Sequence, residues 1–282
     1  RESACYTPTM ARTSSDQALP VLKRASQLRR LRAVSVVPSR SVTSQLENID
    51  GTVRQIRQSL GRQSVTVTTW ASFASLWLIP RLEGFQRLHP DIDIRIDATD
   101  AAVDLATADV DLALRYAKPN TVPSDAERLF GEQLTPVASP WLLNTQPIQS
   151  VADLAHCTLI EAGDAYRHNH LQWLSWQRWL DAFAPGGTRL TPMRWLYFNY
   201  ANQILQAALT GQGVALARTP LVADSLASGD LVEPLPHARL DSPLAYWLMR
   251  TPRAHTRPEV QAFSDWLLQE AASTRLAMGD AH

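Results

Sequence analysis

The stretch that decides the fold reads Val65-Thr66-Val67-Thr68-Thr69-Trp70-Ala71-Ser72-Phe73-Ala74-Ser75-Leu76-Trp77-Leu78-Ile79-Pro80-Arg81-Leu82-Glu83-Gly84-Phe85. Its first residues are mostly β-branched and alternate, which predicts a strand. Small and hydroxyl residues follow, and then apolar residues at helical spacing, which predicts a helix. A strand that turns through Ser and Thr into a helix gathers free backbone N–H groups and the positive helix end at one place. Such a place can hold a carboxylate or another small polar ligand.

The alternation of strand and helix continues from this stretch toward the end of the chain. Strands are predicted at 64–70, 91–98, 110–115, 157–161, 193–198, 214–218, 231–235 and 243–250, with extended chain at 126–139. Helices are predicted at 73–88, 101–107, 140–144, 150–155, 170–183, 200–211, 220–228 and 257–273. Strands that alternate with helices in this way predict an α/β fold with mostly parallel strands.

Charge divides the chain into two regions, although its 282 residues have a formal net charge of +0. Residues 1–62 contain 11 Arg or Lys and 4 Asp or Glu, which gives +7, and the remaining 16 basic and 23 acidic residues give −7. A basic arm before an acidic body is typical of an arm that faces nucleic acid, but also of a solvated tail. Charge alone favours the solvated tail.

Several classes of protein are excluded by what the sequence lacks. Cys5 and Cys157 are far apart and predict neither a metal site nor a disulfide framework, so a reducing cytoplasm is the expected compartment. No run approaches the ~18 apolar residues of a membrane span, and the N-terminus has no signal-peptide core. There is no G-x-S-x-G nucleophile elbow and no P-loop. We therefore expect a protein that is not an enzyme, uses no cofactor and contacts no membrane.

Two short motifs have a structural and a functional interpretation. His168 and His170 could begin a metal site, but the further ligands are missing, so surface histidines in a loop are the favoured interpretation and no metal is expected. The Gly211–Gln212–Gly213 turn lacks the third glycine of a dinucleotide fingerprint and follows a predicted helix, which favours a helix C-cap.

Tryptophans spaced three apart at 173, 176 and 179 could line a pocket, but such a stripe is more often one packed helix face. Ser72 and Ser75 are predicted to cap the helix over 73–88, to bind a ligand, or both. Asn199, Tyr200 and Asn202 repeat this polar pattern at a later strand-to-helix switch. Since ligands in α/β sheets lie beyond the carboxyl ends of strands, the two switches could face each other across a cleft.

Five segments together carry a family resemblance, and they occur in family order with family spacing. They are Val67–Leu82, Phe85–Ile92, Asp109–Tyr116, Pro136–Pro140 and Gln206–Leu216, the last followed by Pro220-Leu221-Val222. Over about residues 62–270 the chain resembles the effector-binding domain of LysR-type transcriptional regulators, particularly the branch around the glycine-cleavage activator.

The resemblance implies two Rossmann-like α/β subdomains joined by crossing strands, as in type II periplasmic solute-binding proteins. Subdomain I would comprise 62–131 and 237–273, and subdomain II would comprise 132–236. The crossings would lie near 126–137 and 233–243, and no single sheet would run through all the strands.

A small-molecule effector would then bind in the cleft between the subdomains. The positions that match family cleft residues are Ser72, Phe73, Thr99, Asp100, Arg115, Tyr116, Thr135, Ala138, Tyr200 and Asn202. Their side chains would suit a small anion or an amino acid.

The N-terminal region departs from the family pattern. Residues 1–61 form an atypical basic helical segment, with predicted helices at 16–32 and 44–60. Val37–Leu46 resembles a recognition helix, whereas Asp16–Ala25 resembles a remnant of a linker helix, and both cannot hold in family order. We expect a truncated or rearranged DNA-binding region, so that promoter DNA is a partner if an intact head exists. The family resemblance also implies a homo-dimer or tetramer. The alternative is a solute-binding protein that captures a small ligand without DNA, which the missing signal peptide disfavours.

Overall fold

The computed structural model describes residues 63–99, 105, 108–163, 174–184, 186 and 190–280. The predicted N-terminal helices and most of the predicted helix over 101–107 lie outside these residues. So do Asp100, both histidines of the H-x-H motif and Trp173.

Within the described residues, eight strands lie side by side in one sheet of mixed direction, in the order β2-β1-β3-β8-β4-β7-β5-β6. The strands are β1 (Gln63–Thr69), β2 (Ile92–Ala98), β3 (Leu112–Ala117), β4 (Glu127–Val137), β5 (Thr158–Ala162), β6 (Arg194–Phe198), β7 (Val214–Arg218) and β8 (Leu240–Arg250). The pairs β1–β2, β1–β3, β5–β6 and β5–β7 are parallel. The α/β class with crossing strands is therefore confirmed.

The two long strands β4 and β8 cross the middle of the sheet, and they are antiparallel to each other. On their outer sides, β8 pairs with β3 and β4 pairs with β7. The expectation that no single sheet would contain all the strands is wrong, because the crossing strands are long enough to bond to each other and to an outer neighbour. The boundaries of the two subdomains stay predictions.

Helices connect many of these strands along the chain. They are α1 (71–88), α2 (Pro140–Thr145), α3 (Trp176–Phe183), α4 (Ala201–Leu209), α5 (Thr219–Ser228) and α6 (Pro258–Met278), with 3-10 turns at Pro119–Thr121, Val151–His156 and Pro252–Thr256. None of the helices in the described part of the chain has the length and the apolar run that crossing a bilayer would require.

Helix α1 changes type along its length. It is α-helical at Ala71–Phe73, π-helical at Ala74–Leu78, 3-10 at Ile79–Arg81 and α-helical again at Leu82–Leu88. Pro80 explains the change, because proline has no N–H to donate and its ring presses on the carbonyl of the preceding turn. The helix begins earlier than predicted, and its cap residue, Trp70, makes no side-chain cap bond. The interpretation of Ser72 as the helix cap is therefore wrong. Ser75 donates instead to the Ala71 carbonyl at 2.8 Å.

Large aromatic side chains fill the core on both sides of the crossing strands. Trp77 is fully buried beside Phe73 and donates from its indole to the Thr274 hydroxyl at 3.0 Å. Trp176 and Trp179 are fully buried too, and their indoles donate to the backbone carbonyls of Ile160 and Ala238. For these two residues the packed-face interpretation of the tryptophan stripe is confirmed.

Asp111 joins the edge of β3 to the start of α6. Its buried carboxylate accepts from the Thr66 backbone N–H at 2.9 Å and from the Arg257 guanidinium at 2.6 Å. Arg257 also donates to the Ser64 carbonyl at 2.5 Å and to Glu259 at 2.9 Å. These bonds give the Asp109–Tyr116 segment a structural role.

The glycine turn after α4 has the predicted conformation. Gly211 lies in the left-handed region with φ of 73°, as a helix C-cap requires, so that prediction is confirmed. A Cβ on Gly213 would lie 2.4 Å from the Thr158 carbonyl oxygen, so β7 approaches β5 more closely than a side chain permits.

The predicted strand over 231–235 is wrong. Val232 makes one isolated bridge to Ala138, with backbone hydrogen bonds of 2.9 and 3.0 Å. Leu231 and Leu235 are buried in two different core clusters, so the apolar pattern reflects burial of single side chains in a loop.

Candidate functional site

A cavity of about 350 Å³ opens between the starts of two helices and the ends of several strands. Helix α1 and the end of β3 contribute Trp70, Phe73 and Tyr116, and helix α4 contributes Tyr200 and neighbouring residues. The other lining residues are Ser72, Leu76, Leu134, Ile160, Glu161, Ala162, Leu174, Asn199, Ala201, Ile204, Leu205, Leu216, Ala217, Arg218, Leu221 and Val222. Most of these side chains are apolar, which is typical of a small-molecule site.

A buried ion pair lies at the wall of the cavity where β7 ends. Arg218 Nε donates to Glu132 Oε2 at 2.8 Å, and the Glu132 side chain has no exposed surface. The Tyr246 hydroxyl donates to the same carboxylate at 3.0 Å, and the Tyr116 hydroxyl donates to its other oxygen. Three donors therefore compensate the buried negative charge, as a buried carboxylate requires.

The guanidinium of Arg218 lies over two aromatic rings. Its central carbon is 4.1 Å from the Tyr116 ring centroid and 5.2 Å from that of Tyr246. Burial by itself lowers the pKa of Arg218, but attraction to Glu132 and to the tyrosines outweighs it, so that the pKa rises. Burial raises the pKa of both tyrosines well above their ordinary range, and the Glu132 charge raises it further. Arg218 is therefore a fixed cation beside neutral phenols.

The starts of α1 and α4 contact each other, and residues from both line the cavity. The Ser72 hydroxyl lies 3.4 Å from both the backbone nitrogen and the side-chain oxygen of Asn202. The Gln203 side-chain oxygen accepts from the backbone N–H groups of Asn199 and Tyr200 at 3.1 and 3.2 Å, which fixes the start of α4. The two polar switches predicted from the sequence do face each other.

Glu161 is the second charged residue in the lining. It is 8% exposed, and its Oε1 atom accepts from the Trp176 backbone N–H at 2.7 Å, where helix α3 begins. A carboxylate at a helix N-terminus is favoured by the helix dipole. Glu161 therefore has a structural role, because it binds the first residue of α3.

The structure brings several of the sequence-predicted residues together. Ser72, Phe73, Tyr116 and Tyr200 line the cavity, and Asn202 contacts Ser72.

Four other predicted residues lie away from the cavity lining. Arg115 donates to the Thr68 hydroxyl at 3.0 Å, and Thr135 donates to Glu233 at 2.7 Å. The backbone N–H of Thr99 donates to the Thr69 carbonyl at 2.8 Å, and Ala138 is buried in the bridge to Val232. Arg115 and Thr135 are absent from the lining because successive side chains of a strand point to opposite faces. Their neighbours Tyr116 and Leu134 are the residues that line the cavity.

Sequence reasoning missed Arg218 and most of the apolar wall. Arg218 ends the apolar strand β7, and polar residues at the carboxyl ends of strands are where α/β sheets bind ligands. That signal was present in the sequence. The apolar lining gave no such signal, because a leucine that lines a cavity has the same pattern as one in the core.

The chemistry of this site is that of binding. It offers one fixed cation, hydroxyl and amide groups, and apolar walls. In the described ranges, no three His, Cys, Asp or Glu side chains come together as metal ligands.

Comparison with known proteins gives one consistent family. The model of the LysR substrate binding domain matches residues 58–272. The glycine cleavage system transcriptional activator of Escherichia coli (strain K12) is 34% identical over 221 residues, which are 78% of this chain and 69% of that protein. The HTH-type transcriptional activator AmpR of Pseudomonas aeruginosa is 33% identical over 227 residues, covering 80% of this chain and 72% of that protein.

Solved structures agree with the sequence relatives. The effector domain of AmpR from Pseudomonas aeruginosa superposes with a TM-score of 0.58 and 31% identity, over 78% of this chain and 100% of that domain. The effector binding domain of AmpR from Citrobacter freundii gives a TM-score of 0.57 and 27% identity, over 75% of this chain and 100% of that domain.

Proposed function

We infer the function of this chain from its family. It belongs to the LysR family of transcriptional regulators and carries the substrate-binding domain of that family. The cavity between the starts of α1 and α4 binds a small metabolite as the effector. Occupation of the cavity changes the distance between the two helix starts, and this difference selects between two arrangements of the regulator. The observation that carries the proposal is the apolar cavity lined by residues from the starts of both α1 and α4.

The residues proposed to contact the effector are Ser72, Phe73, Tyr116 and Tyr200, which line this cavity, and Asn202, which contacts Ser72. Thr99, Asp100, Arg115, Thr135 and Ala138 stay predictions from the family resemblance. As a regulator of this family the chain is further proposed to act as a homo-dimer or tetramer in the cytoplasm, where promoter DNA is found.

A screen of metabolites by thermal shift on the full chain tests the effector proposal, with calorimetry on every compound that stabilises it. The variant Ala201→Phe places a ring in the cavity, because Ala201 lines it at the start of α4. Gln206→Phe is the matched control, since Gln206 is exposed on the same helix and lies outside the lining. We expect Ala201→Phe to abolish binding and Gln206→Phe to retain it. Equal binding by both variants, or no stabilising compound, would overturn the proposal.

Binding to DNA is proposed for the basic N-terminal region. Its +7 charge should give weak binding without sequence preference that weakens steeply with added salt. Fluorescence anisotropy of the full chain with promoter and scrambled DNA measures this. Nanomolar binding to the promoter alone that survives ~200 mM salt would instead indicate an intact DNA-binding head.

A further inference from the structure

Arg218 keeps most of its hydrogen-bonding capacity unused. In the part of the chain that the structure describes, the bond from Nε to Glu132 is the hydrogen bond that its side chain makes. The Nη2 atom is buried and has no partner. A guanidinium has five N–H donors in a fixed fork, so the Nη1 and Nη2 end is left for an acceptor that the described residues do not supply.

The orientation of this fork is fixed. Glu132 holds Nε, and the Tyr116 ring lies against the guanidinium face at 4.1 Å. A guanidinium held in this way binds a carboxylate through two parallel N–H bonds, which a flexible ammonium group cannot reproduce.

The rest of the cavity selects the body of the ligand. Around Arg218 the lining consists mainly of large apolar side chains, among them Leu76, Leu134 and Leu221. Residues at the starts of α1 and α4 also line the cavity, and a helix start carries a partial positive charge. Glu161 is the acidic residue of the lining, and one of its oxygens already accepts the Trp176 N–H. The donors that remain for a ligand are therefore those of the Arg218 guanidinium, and they suit an anionic group.

We propose that the effector is a carboxylic acid with an apolar body, whose carboxylate accepts from the guanidinium of Arg218. The inference rests on the proposed function, because it takes this cavity as the effector site. A cavity of about 350 Å³ limits the ligand to a small acid. The wall offers little to the ammonium group of an amino acid, so a simple acid binds in preference to the corresponding zwitterion.

Calorimetry with the full chain tests this assignment with matched probes. The acids are propionate, hexanoate, phenylacetate and indole-3-acetate, and each is compared with its neutral amide. Phenylalanine and phenethylamine represent a zwitterion and a cation. We expect the acid that fits best to bind about tenfold or more tightly than its amide, since a hydrogen-bonded charge contributes more than a neutral group. We expect phenylalanine and phenethylamine to bind more weakly than phenylacetate.

Two variants of the ion pair separate recognition from folding. Arg218→Lys keeps the charge and removes the fork, and should weaken acid binding by about tenfold. Arg218→Met combined with Glu132→Gln removes both buried charges together, so that neither is left unpaired. This double variant should bind the acid and its amide equally. Arg81→Met with Asp224→Asn is the matched control, because it removes another arginine–carboxylate pair outside the cavity lining.

The outcomes distinguish the two proposals. An amide that binds wild type as tightly as its acid, or an acid preference that survives in the double variant, would overturn the inference. Preferential binding of phenylalanine or phenethylamine that Ala201→Phe abolishes would also overturn it, while supporting the cavity as an effector site. If no probe bound, the carboxylic acid assignment would fail. If, in addition, Ala201→Phe bound a ligand from the screen as tightly as wild type, the proposed function would fail together with the carboxylic acid assignment.

Discussion

The Ser72 hydroxyl lies 3.4 Å from the Asn202 backbone nitrogen, although 130 residues separate them in the chain. Ser72 is the second residue of α1 and Asn202 is the second residue of α4. The contact therefore joins two helix starts whose neighbouring residues line the cavity. The Ser72 side chain thus contacts the start of the other helix and does not cap its own.

Replacement of Ser72 tests that distinction. Ser72→Ala should change the free energy of unfolding by less than ~0.5 kcal/mol, because no cap bond is lost. Ser139→Ala is the comparison, since the Ser139 hydroxyl accepts from the Leu142 N–H at 3.3 Å as the true cap of α2. It should lower the free energy of unfolding by ~1 kcal/mol. Urea denaturation measures both, and equal losses would show that Ser72 has a capping role.

Asp111 is predicted to be a major determinant of stability. Asp111→Asn removes the carboxylate that Arg257 and the Thr66 N–H share in a buried position. The free energy of unfolding should fall by roughly 2–3 kcal/mol, since a charged partner is left poorly compensated. Asp265→Asn is the control, because Asp265 is exposed on α6 and, among the described residues, its carboxylate accepts from the Gln261 side chain. Thermal unfolding of the two variants should differ clearly, and similar melting temperatures would contradict the prediction.

Replacement of two glycines by alanine should change the free energy of unfolding in opposite directions. Gly213→Ala places a methyl group 2.4 Å from the Thr158 carbonyl oxygen, so it should destabilise the fold by about 1–3 kcal/mol. Gly84 lies inside α1, and the nearest atom to its added Cβ is 3.9 Å away. Gly84→Ala should stabilise by about 0.5–1 kcal/mol, because glycine loses more conformational entropy in a helix. A loss of stability in both variants, measured by urea denaturation, would show that the packing around Gly84 is tighter than described.

Stability should fall on the alkaline side because of the two buried tyrosines. Burial raises the pKa of Tyr116 and Tyr246, so the folded state holds protons that the unfolded state releases. Their contribution is fully present below pH ~10 and is lost as pH rises toward the raised values. Tyr246→Phe should make the free energy of unfolding fall less steeply above pH ~10. Tyr197→Phe is the control, because Tyr197 is exposed. An unchanged slope in Tyr246→Phe would contradict the assignment.

Much of the fold could be predicted from the sequence, because its strands and helices have clear local patterns. Strand β1, helix α4 and the Gly211 turn are examples in which spacing and turn chemistry agree with the tertiary structure. The predicted strand over 231–235 failed because burial of Leu231 and Leu235 in separate clusters imitates a strand pattern. The joining of all strands into one sheet depends on pairing between β4 and β8, which no local pattern records.

The candidate site was less predictable for a physical reason. Ser72 and Tyr200 stand out in the sequence because polar residues at a strand-to-helix switch are conspicuous. Arg218 has the same kind of signal at the end of β7, but the sequence does not show that Glu132 and Tyr116 from two other strands hold its guanidinium in place. A network of this kind is visible only after the chain has folded.

The pairing of β4 with β8 determines how this domain can deform. Because each of them is also bonded to an outer neighbour, backbone hydrogen bonds connect the two halves of the sheet through its middle. We expect a change in the gap between the helix starts to bend the sheet as one elastic strip. The strip is most compliant at the irregular pairing around Gly131, whose N–H donates to the Asp280 carboxylate just beyond α6 at 2.7 Å. Filling of the cavity would thus be transmitted as curvature, and Asp280 is in direct contact with the point of bending.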